Sequence, residues 1–318
     1  MTWYAIHPSG PITLGNLTPV GQNSGLVGCR WPPNGHQLAA CIQLPPDSQM
    51  WGPFWSFRDD LYLPLPLPVY TTSEIKDGKI PENLYRMTDG ENGWQVRPEH
   101  QEQEIEVIGG QYVIQASAFR AFWQEGKFDR SPLPIKNLPW ETLTLSHNSR
   151  ENYEVKEEGG FFAEMTTLLK PHWSIALKLI GNHTPPTDTF FGAGATPVVI
   201  KPLNRKWDWL GDRCENATGA VLLTSALWEQ PTGKTSLPYP NLPIKAYAAD
   251  SPLPWQSWKY VKDRNNTQQQ VRVLTPGEWL TPAGAVYLWE GESPVKTSGP
   301  LSDSFHRDAL GYGHLWLF

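Results

Sequence analysis

The sequence is poor in cysteine, and its cysteines form no recognisable framework. There are three, Cys29, Cys41 and Cys214, an odd number with no CxxC pair and no Cys/His zinc spacing. Disulfide-stabilised secreted domains and zinc modules normally carry paired or closely spaced cysteines. The pattern therefore excludes both classes. We expect a protein of the reducing cytoplasm, with neither a metal nor a cofactor.

Long hydrophobic runs are also missing. No stretch of about 18 apolar residues occurs, which excludes a predicted transmembrane helix and predicts no membrane partner. The first residues, MTWYAIHPSG, lack the basic and long apolar regions of a signal peptide. A cytoplasmic location is the resulting expectation.

Motifs of common enzymes are absent from the sequence. It contains no GxSxG and no HExxH motif, and Asp59 and Asp60 are neighbours that would point to opposite faces of a strand. GAGATP, with Gly192 and Gly194, lacks the third glycine of a dinucleotide fingerprint and precedes a strand pattern, so it predicts a turn. We therefore expect no catalytic residues and no enzyme activity.

Proline and tryptophan, by contrast, are abundant. The 318 residues include 31 prolines and 16 tryptophans. Because each proline removes a backbone donor and interrupts helices, the chain is expected to form short strands and loops. The net charge of −6 argues against a broad nucleic-acid-coating surface and still permits a local basic groove.

One short helix is predicted after the WPPNG segment. Asn34 suits the N-cap, Gln37 suits the third helical position of a capping box, and Pro45 ends the pattern. Further along, LYLPLPLP predicts an edge strand or an extended segment, and residues 71–104 predict an exposed insertion. The connector RSPLPIKNLPW places the predicted division between residues 1–135 and 136–318.

The chain ends on DALGYGHLWLF. Gly311 suits the left-handed residue that stops a short helix, and HLWLF predicts a final strand. In that strand Leu315 and Leu317 would share one face, with His314, Trp316 and Phe318 on the other.

Aromatic and basic residues interleave in two stretches, KPLNRKWDWLGDR at 201–213 and WQSWKYVKDR at 255–264. Aromatic rings can stack on unpaired bases while Lys and Arg hold phosphates. The same rings would suit a sugar platform or an ordinary core, because Trp carries a large apolar area. These residues alone leave the function open.

The order of eight segments narrows the choice. They are WYAIHP, GLVGCRWPPNGHQLAACIQ, WGPFWSFRDDLYLPLPLPV, SHNSRENYEVKEEGGFFAEMTTLLKPHW, FFGAGATPVVI, AVLLTSALW, LTPAGAVYLWEG and ALGYGHLW. In this order the chain resembles a divergent third subunit of the Cmr complex, the type III-B CRISPR effector, within the RAMP superfamily. It departs from that family where SGPITLGNLTPV lacks the usual acid, arginine and phenylalanine, and where Ala195, Thr196 and Pro197 follow the glycine turn.

The resemblance implies an α+β fold of two ferredoxin-like (RRM/RAMP-type) domains, with antiparallel sheets and long irregular insertions. It implies a non-catalytic subunit that binds the 5′ handle of the guide RNA in antiviral defence. It also implies two protein partners, the Cas10-type large subunit and the first backbone RAMP subunit. The residues expected to contact RNA are Asn34, His36, Gln37, Arg150, Gly192, Gly194, Lys201, Arg205, Lys206, Tyr312 and His314.

Two alternatives stay open on the sequence. One is a RAMP endoribonuclease that processes precursor guide RNA, with His7, His36 or His147 as general acid or base. The other is a tryptophan-rich β module that binds carbohydrate or protein.

Overall fold

The structure is a computed structural model that describes residues 1–15, 25–75, 79–91, 93–129, 131–148, 150–151, 154–155, 161–230, 237–256, 258–262 and 270–318. Over these residues it is an α+β fold of mostly antiparallel sheets with two α-helices. Among the residues described, no helix is long and apolar enough to span a membrane.

The helices are short and the strands are many. The α-helices are α1, Gly35–Cys41, and α2, Ala116–Glu125. Three 3₁₀ helices cover Pro98–His100, Asp208–Gly211 and Arg307–Leu310. The strands before α2 are β1 Thr2–Pro8, β2 Gly25–Val27, β3 Gln49–Phe57, β4 Asp60–Pro64, β5 Val69–Thr71, β6 Leu84–Arg86, β7 Thr88–Gly90, β8 Gly93–Gln95, β9 Glu106–Val107 and β10 Tyr112–Gln115.

The strands after α2 complete the fold. They are β11 Lys127–Phe128, β12 Ile135–Asn137, β13 Trp140–Asn148, β14 Arg150–Glu151, β15 Glu154–Val155, β16 Phe161–Leu169, β17 Trp173–Ile180, β18 Asp188–Phe191, β19 Thr196–Leu203, β20 Gly219–Leu222, β21 Ala226–Leu227, β22 Ile244–Ala248, β23 Leu253–Trp255, β24 Trp258–Lys262, β25 Gln270–Leu274, β26 Glu278–Thr281, β27 Val286–Trp289, β28 Gly299–Pro300 and β29 His314–Leu317.

The first sheet contains a ferredoxin-like strand order. It has eight strands in the order β12-β10-β4-β3-β17-β1-β19-β18. Four of these strands lie across the sheet in the order β19-β1-β17-β3, which are the fourth, first, third and second of the set in chain order. Their pairs are antiparallel. Helix α1 connects β1 and β3, as in a split βαβ unit.

A second sheet repeats that order. Its strands lie as β22-β27-β20-β29-β28, so β20, β22, β27 and β29 also have the fourth-first-third-second arrangement in antiparallel pairs. No α-helix occurs between these strands in the residues described; the 3₁₀ helix Arg307–Leu310 precedes β29. Both ferredoxin-like sheets expected from the motif order are therefore present, with most of their helices replaced by irregular chain.

The core is layered on both sides of the first sheet. One face, with Phe54 and Ala176, packs on the second sheet through Val221, Val286 and Trp316. The other face packs on α1 through the apolar side of that helix. Because both faces are covered, β17 is buried over seven of its eight residues, WSIALKL.

Several predicted elements are confirmed. The helix α1 begins after Asn34 and carries the capping box with Gln37. Gly311 is left-handed, with a φ of 78°, at the end of the last 3₁₀ helix. In β29, Leu315 and Leu317 face one apolar cluster while Trp316 joins another, as the alternation predicts.

Other predictions need correction. Of the two alternatives for LYLPLPLP, the edge strand is wrong, because β4 pairs with β3 on one side and with β10 on the other. Residues 65–68 lie outside a strand, and Leu65 is buried. Residues 71–104, apart from 76–78 and 92, which lie outside the described residues, contain the short strands β6 to β8 and a buried His100 that hydrogen-bonds Tyr70. The predicted division at residue 135 stays a prediction, and it would fall within the first ferredoxin-like strand set, between β3 and β17.

Candidate nucleic-acid interface

The start of α1 is closed by its own capping box. The Asn34 backbone N–H donates to Gln37 Oε1 at 2.9 Å, and the Gln37 backbone N–H donates to Asn34 Oδ1 at 3.2 Å. Gly35 meets the chain's closing segment, since a β-carbon there would lie 2.2 Å from the Leu310 carbonyl oxygen. The capping box therefore pairs the Asn34 and Gln37 groups with each other, and RNA contact by these two residues stays a prediction.

His36 and Tyr312, both predicted RNA-contact residues, lie together beside this cap. His36 Nδ1 and the Tyr312 hydroxyl are 2.8 Å apart and form a hydrogen bond. The ring of Trp255 lies 5.3 Å from that of His36 and 6.4 Å from that of Tyr312. Burial, and then the charge of Arg307, lower the pKa of His36, so the imidazole is neutral near pH 7. Tyr312 is only 4% exposed.

A cavity of about 610 Å³ opens beside this cluster, between the first sheet and the small sheet β21-β26-β23. That volume is typical of small-ligand sites. Its aromatic lining comprises Trp31, Trp55, Tyr112, Trp140 and Trp255. Its polar lining includes Arg30, Asn34, Thr224, Ser225 and Asp250.

Three indoles form one aromatic wall of the cavity. The Trp55 and Trp140 rings are 4.8 Å apart, and Trp31 lies 6.0 Å from Trp55 and 6.1 Å from Trp140. Trp55 is on β3 of the first sheet, and Trp140 begins β13 of the separate sheet β13-β16-β2. Trp31 Nε1 is buried and has no hydrogen-bond partner among the described residues. Such a wall suits an unstacked nucleobase, and an unpaired buried donor suits a polar ligand.

Charge at the cavity comes from Arg30 and Asp250. Burial lowers the pKa of the Arg30 guanidinium, with an opposing effect from Tyr312, and a guanidinium remains protonated in proteins. Asp250 is exposed, and its Oδ1 accepts a hydrogen bond from the Ser251 backbone N–H at 2.7 Å. The cavity thus combines stacking surfaces with a cation and with acceptors, as a nucleotide requires.

His314 is a core residue. Its side chain is fully buried, its Nε2–H donates to the Leu210 carbonyl at 2.9 Å, and its ring contacts Trp51 at 4.9 Å. Burial lowers its pKa to about 4. The prediction that His314 touches RNA is wrong for this conformation, because the ring lies between the two ferredoxin-like sheets.

The stretch at 201–213 is divided between surface and core. Lys201 and Lys206 are exposed, and the exposed Arg205 forms an ion pair with Asp60. Trp207, however, is 8% exposed and packs edge-on against Trp3 at 4.9 Å. Of the alternatives left open for this stretch, Trp207 is therefore a core residue, while Lys201 and Lys206 are accessible.

The glycine turn joins β18 to β19 at the surface. Gly192 is left-handed, with a φ of 77°, and a β-carbon there would lie 2.4 Å from the Thr13 carbonyl oxygen. Gly194 is exposed, and a β-carbon there would meet nothing within 4 Å. A glycine is needed at position 192 because the chain packs closely there. Gly194 has open space around it and is the glycine of this turn that a ligand could approach.

Arg150 and the stretch at 255–264 are described only in part. Arg150 is in β14, of which only the backbone is described. Of the stretch at 255–264, Trp255 lines the cavity, residues 258–262 form β24 with only their backbone described, and residues 257, 263 and 264 lie outside the described residues.

Sequence reasoning missed the cavity itself. Trp31, Trp55 and Trp140 belong to three separate elements and share no sequence spacing that would indicate a common wall. The only available signal was the position of WPP directly before the predicted helix cap, which places Trp31 beside Asn34.

No protein-family model matches the sequence, and no curated protein matches it. Solved structures, three among others, do show a likeness. The first is a chain of the type III-B Cmr-beta bound to cognate target RNA, with 10% identity, a TM-score of 0.49, and coverage of 98% of this chain and 96% of that chain.

A second Cmr-beta structure, bound to target RNA and AMPPNP, has 10% identity, a TM-score of 0.45 and coverage of 90% and 86%. A chain of the Csm3–Csm4 subcomplex of the type III-A CRISPR–Cas interference complex has 8% identity, a TM-score of 0.38 and coverage of 91% and 93%. The chain is similar to chains of type III CRISPR assemblies. All three TM-scores lie below 0.5.

Proposed function

We propose that this protein is a non-catalytic subunit of a type III-B CRISPR ribonucleoprotein effector in antiviral defence. It acts in the cytoplasm and binds the 5′ handle of the guide RNA. It docks on the Cas10-type large subunit and on the first backbone RAMP subunit. The proposal is supported by the eight segments in family order and by the two sheets with ferredoxin-like strand order.

The observation that carries the RNA part is the aromatic cavity. A handle of fixed sequence is read best as single-stranded RNA, with bases placed on aromatic faces and hydrogen-bonded at their edges. The wall of Trp31, Trp55 and Trp140 supplies aromatic faces for bases, and Arg30 supplies a cation for the phosphates of the RNA backbone. Asn34 lines the same cavity, so one predicted RNA residue lies where a base would enter.

The absence of catalysis is part of the proposal. The three histidines considered for RNA cleavage lie on different elements: His36 bonds Tyr312, His147 lies 3.4 Å from Glu164, and His7 is on β1. We therefore expect repeat-containing RNA to stay intact during incubation with the protein. Cleavage that disappears in His36→Ala, His147→Ala or His7→Ala would contradict this part.

The whole proposal is tested by affinity purification of the tagged protein from a host that expresses the complete effector locus. The expected result is co-purification of the large and backbone subunits, together with guide RNAs that share one 5′ sequence. Recovery of the protein alone, or with RNA of random 5′ ends, would contradict complex membership or handle binding. A glycan array with specific hits would favour the alternative β module.

A further inference from the structure

A second pocket, of about 430 Å³, lies at one end of the first sheet and shares no lining residue with the aromatic cavity. Its lining includes His7, Arg58, Lys170 and His172. Two turns and the end of β1 form it, and the Arg58 N–H donates to the His172 carbonyl at 3.3 Å. Adjacent strands β3, β17 and β1 bring these three segments together.

The ring of Phe57 lies next to Arg58 and His172 of this pocket and also next to Lys136, which does not line it. Lys136 Nζ lies 4.5 Å from its centroid, the Arg58 guanidinium carbon lies 5.3 Å away, and the His172 ring is 6.2 Å away. Two full positive charges and an imidazole thus surround one half-buried aromatic ring. The ring holds both cations without neutralising them, since a cation–π contact leaves the charge intact.

Carboxylates do not neutralise this group of cations. Within the residues that the structure describes, neither Arg58 nor Lys136 forms an ion pair, whereas Arg205, Lys245 and Lys296 do. The acid at the pocket is Asp59, next to Arg58 in the turn. Burial, and then the charge of Lys201, lower the pKa of His7, and the charge of Asp59 opposes them.

Three residues of the pocket have a positive φ although none of them is glycine. Arg58 and Asp59 form a two-residue hairpin loop with φ values of 49° and 69°, and His172 has a φ of 68°. Such loops normally take Asn-Gly or Asp-Gly, because glycine and asparagine tolerate a positive φ. Arginine and histidine occupy these strained positions instead, and strained residues cluster where side chains have a function.

We propose that this cationic pocket, together with Lys136 beside the Phe57 ring, binds the phosphodiester backbone of single-stranded RNA independently of its sequence. Arg58 and Lys136 supply donors and positive charge near an exposed surface, as grooves that follow an RNA backbone do, and Asp59 is the acid among the lining residues. The site adds to the proposed function but does not require it, because it recognises phosphates and not the handle.

The test measures binding of the full-length protein to a fluorescein-labelled 20-nucleotide polyuridylate, which carries no handle, by fluorescence anisotropy over a range of salt concentrations. For single strands, the slope of log K against log salt is about 0.7 per phosphate contact. The variant Arg58→Gln/Lys136→Gln is therefore expected to lower that slope by about 1.4. The charge-matched control Lys127→Gln/Lys296→Gln, at exposed paired lysines, should keep the wild-type slope.

The charge-preserving variant Arg58→Lys/Lys136→Arg should also keep the slope, which separates charge from packing. Equal slopes for the wild type and for Arg58→Gln/Lys136→Gln would overturn the proposal. A competition with polyglutamate gives a second test. If polyglutamate displaces labelled polyuridylate from the wild type as effectively as unlabelled RNA does, the site binds acidic protein segments, and the proposal is overturned. The two proposals can also fail separately. If the wild type shows no preference for handle RNA but its polyuridylate binding keeps the expected salt slope, the proposed function fails and the phosphate site stands.

Discussion

The imidazole of His36 and the hydroxyl of Tyr312 are joined by a 2.8 Å hydrogen bond across 276 residues of sequence. His36 belongs to the helix of the first ferredoxin-like unit, and Tyr312 precedes the last strand of the second. This bond therefore connects the two units next to the aromatic cavity. Tyr312 is nearly fully buried, so the bond is largely shielded from water.

Removal of the hydroxyl in Tyr312→Phe should destabilise the protein by about 1–2 kcal/mol, because a polar nitrogen of His36 then lacks its partner. Urea denaturation followed by tryptophan fluorescence measures this. Tyr247→Phe, at a residue that is 44% exposed, is the matched control and should change the free energy of unfolding by less than about 0.5 kcal/mol. Equal effects of the two substitutions would mean that the bond contributes nothing.

Gly311 is expected to tolerate no side chain. Its φ is 78°, and a β-carbon would lie 2.7 Å from the Gly52 carbonyl oxygen and 2.9 Å from that of Met50. Gly311→Ala should cost about 2 kcal/mol or more, since both backbone strain and backbone contacts oppose it. Gly194→Ala has open space around the new methyl group and should stay within about 1 kcal/mol of the wild type. Similar melting temperatures for the two variants would contradict this assignment.

Removal of residues 311–318 should unfold the second sheet rather than fray an end. The deletion removes β29, which pairs with β20 and β28 and buries Leu315, Trp316 and Leu317. We expect insoluble protein, or soluble protein without cooperative unfolding. A soluble truncated chain with a wild-type melting transition and unchanged RNA binding would show that the strand is dispensable.

His314 should make stability depend on pH. Burial lowers its pKa to about 4, below the value of about 6.5 in the unfolded chain, so the unfolded state binds the extra proton first. The stabilisation that comes from keeping His314 neutral is fully present above pH 6.5. It is lost as the pH falls towards 4, which lowers the free energy of unfolding by roughly 3 kcal/mol in total. His314→Gln should flatten the free energy of unfolding between pH 6.5 and 4. His36 and His7, whose pKa values burial also lowers, account for a remaining slope in the same direction.

Local features of the chain could be predicted well from sequence. Asn34 and Gln37 form the expected cap because that interaction depends on residues three positions apart. The alternation in HLWLF gave the faces of β29 because a strand has a fixed period of two. Both cases need only neighbouring residues and a known local geometry.

Long-range placement could not be predicted in the same way. The burial of His314 depends on Leu210 and Trp51, which lie in other parts of the chain. β4 is internal because β10, which follows a long insertion, returns to pair with it. The aromatic wall likewise requires three elements to meet, and no pattern within any one of them indicates that meeting.

The central claim is that the aromatic cavity reads the guide-RNA handle, and one binding measurement tests it most directly. Anisotropy titrations compare a labelled RNA with the shared 5′ sequence of co-purified guides and a scrambled RNA, against wild type, Trp31→Leu and Trp279→Leu. Trp279 is 47% exposed and does not line the cavity, so it is the matched control. We predict that wild type and Trp279→Leu prefer the handle RNA, and that Trp31→Leu binds the handle RNA more weakly by about 1–3 kcal/mol, because one stacked base loses its platform. Equal affinity of the wild type for handle and scrambled RNA, or an unchanged affinity of Trp31→Leu for the handle RNA, would contradict the claim.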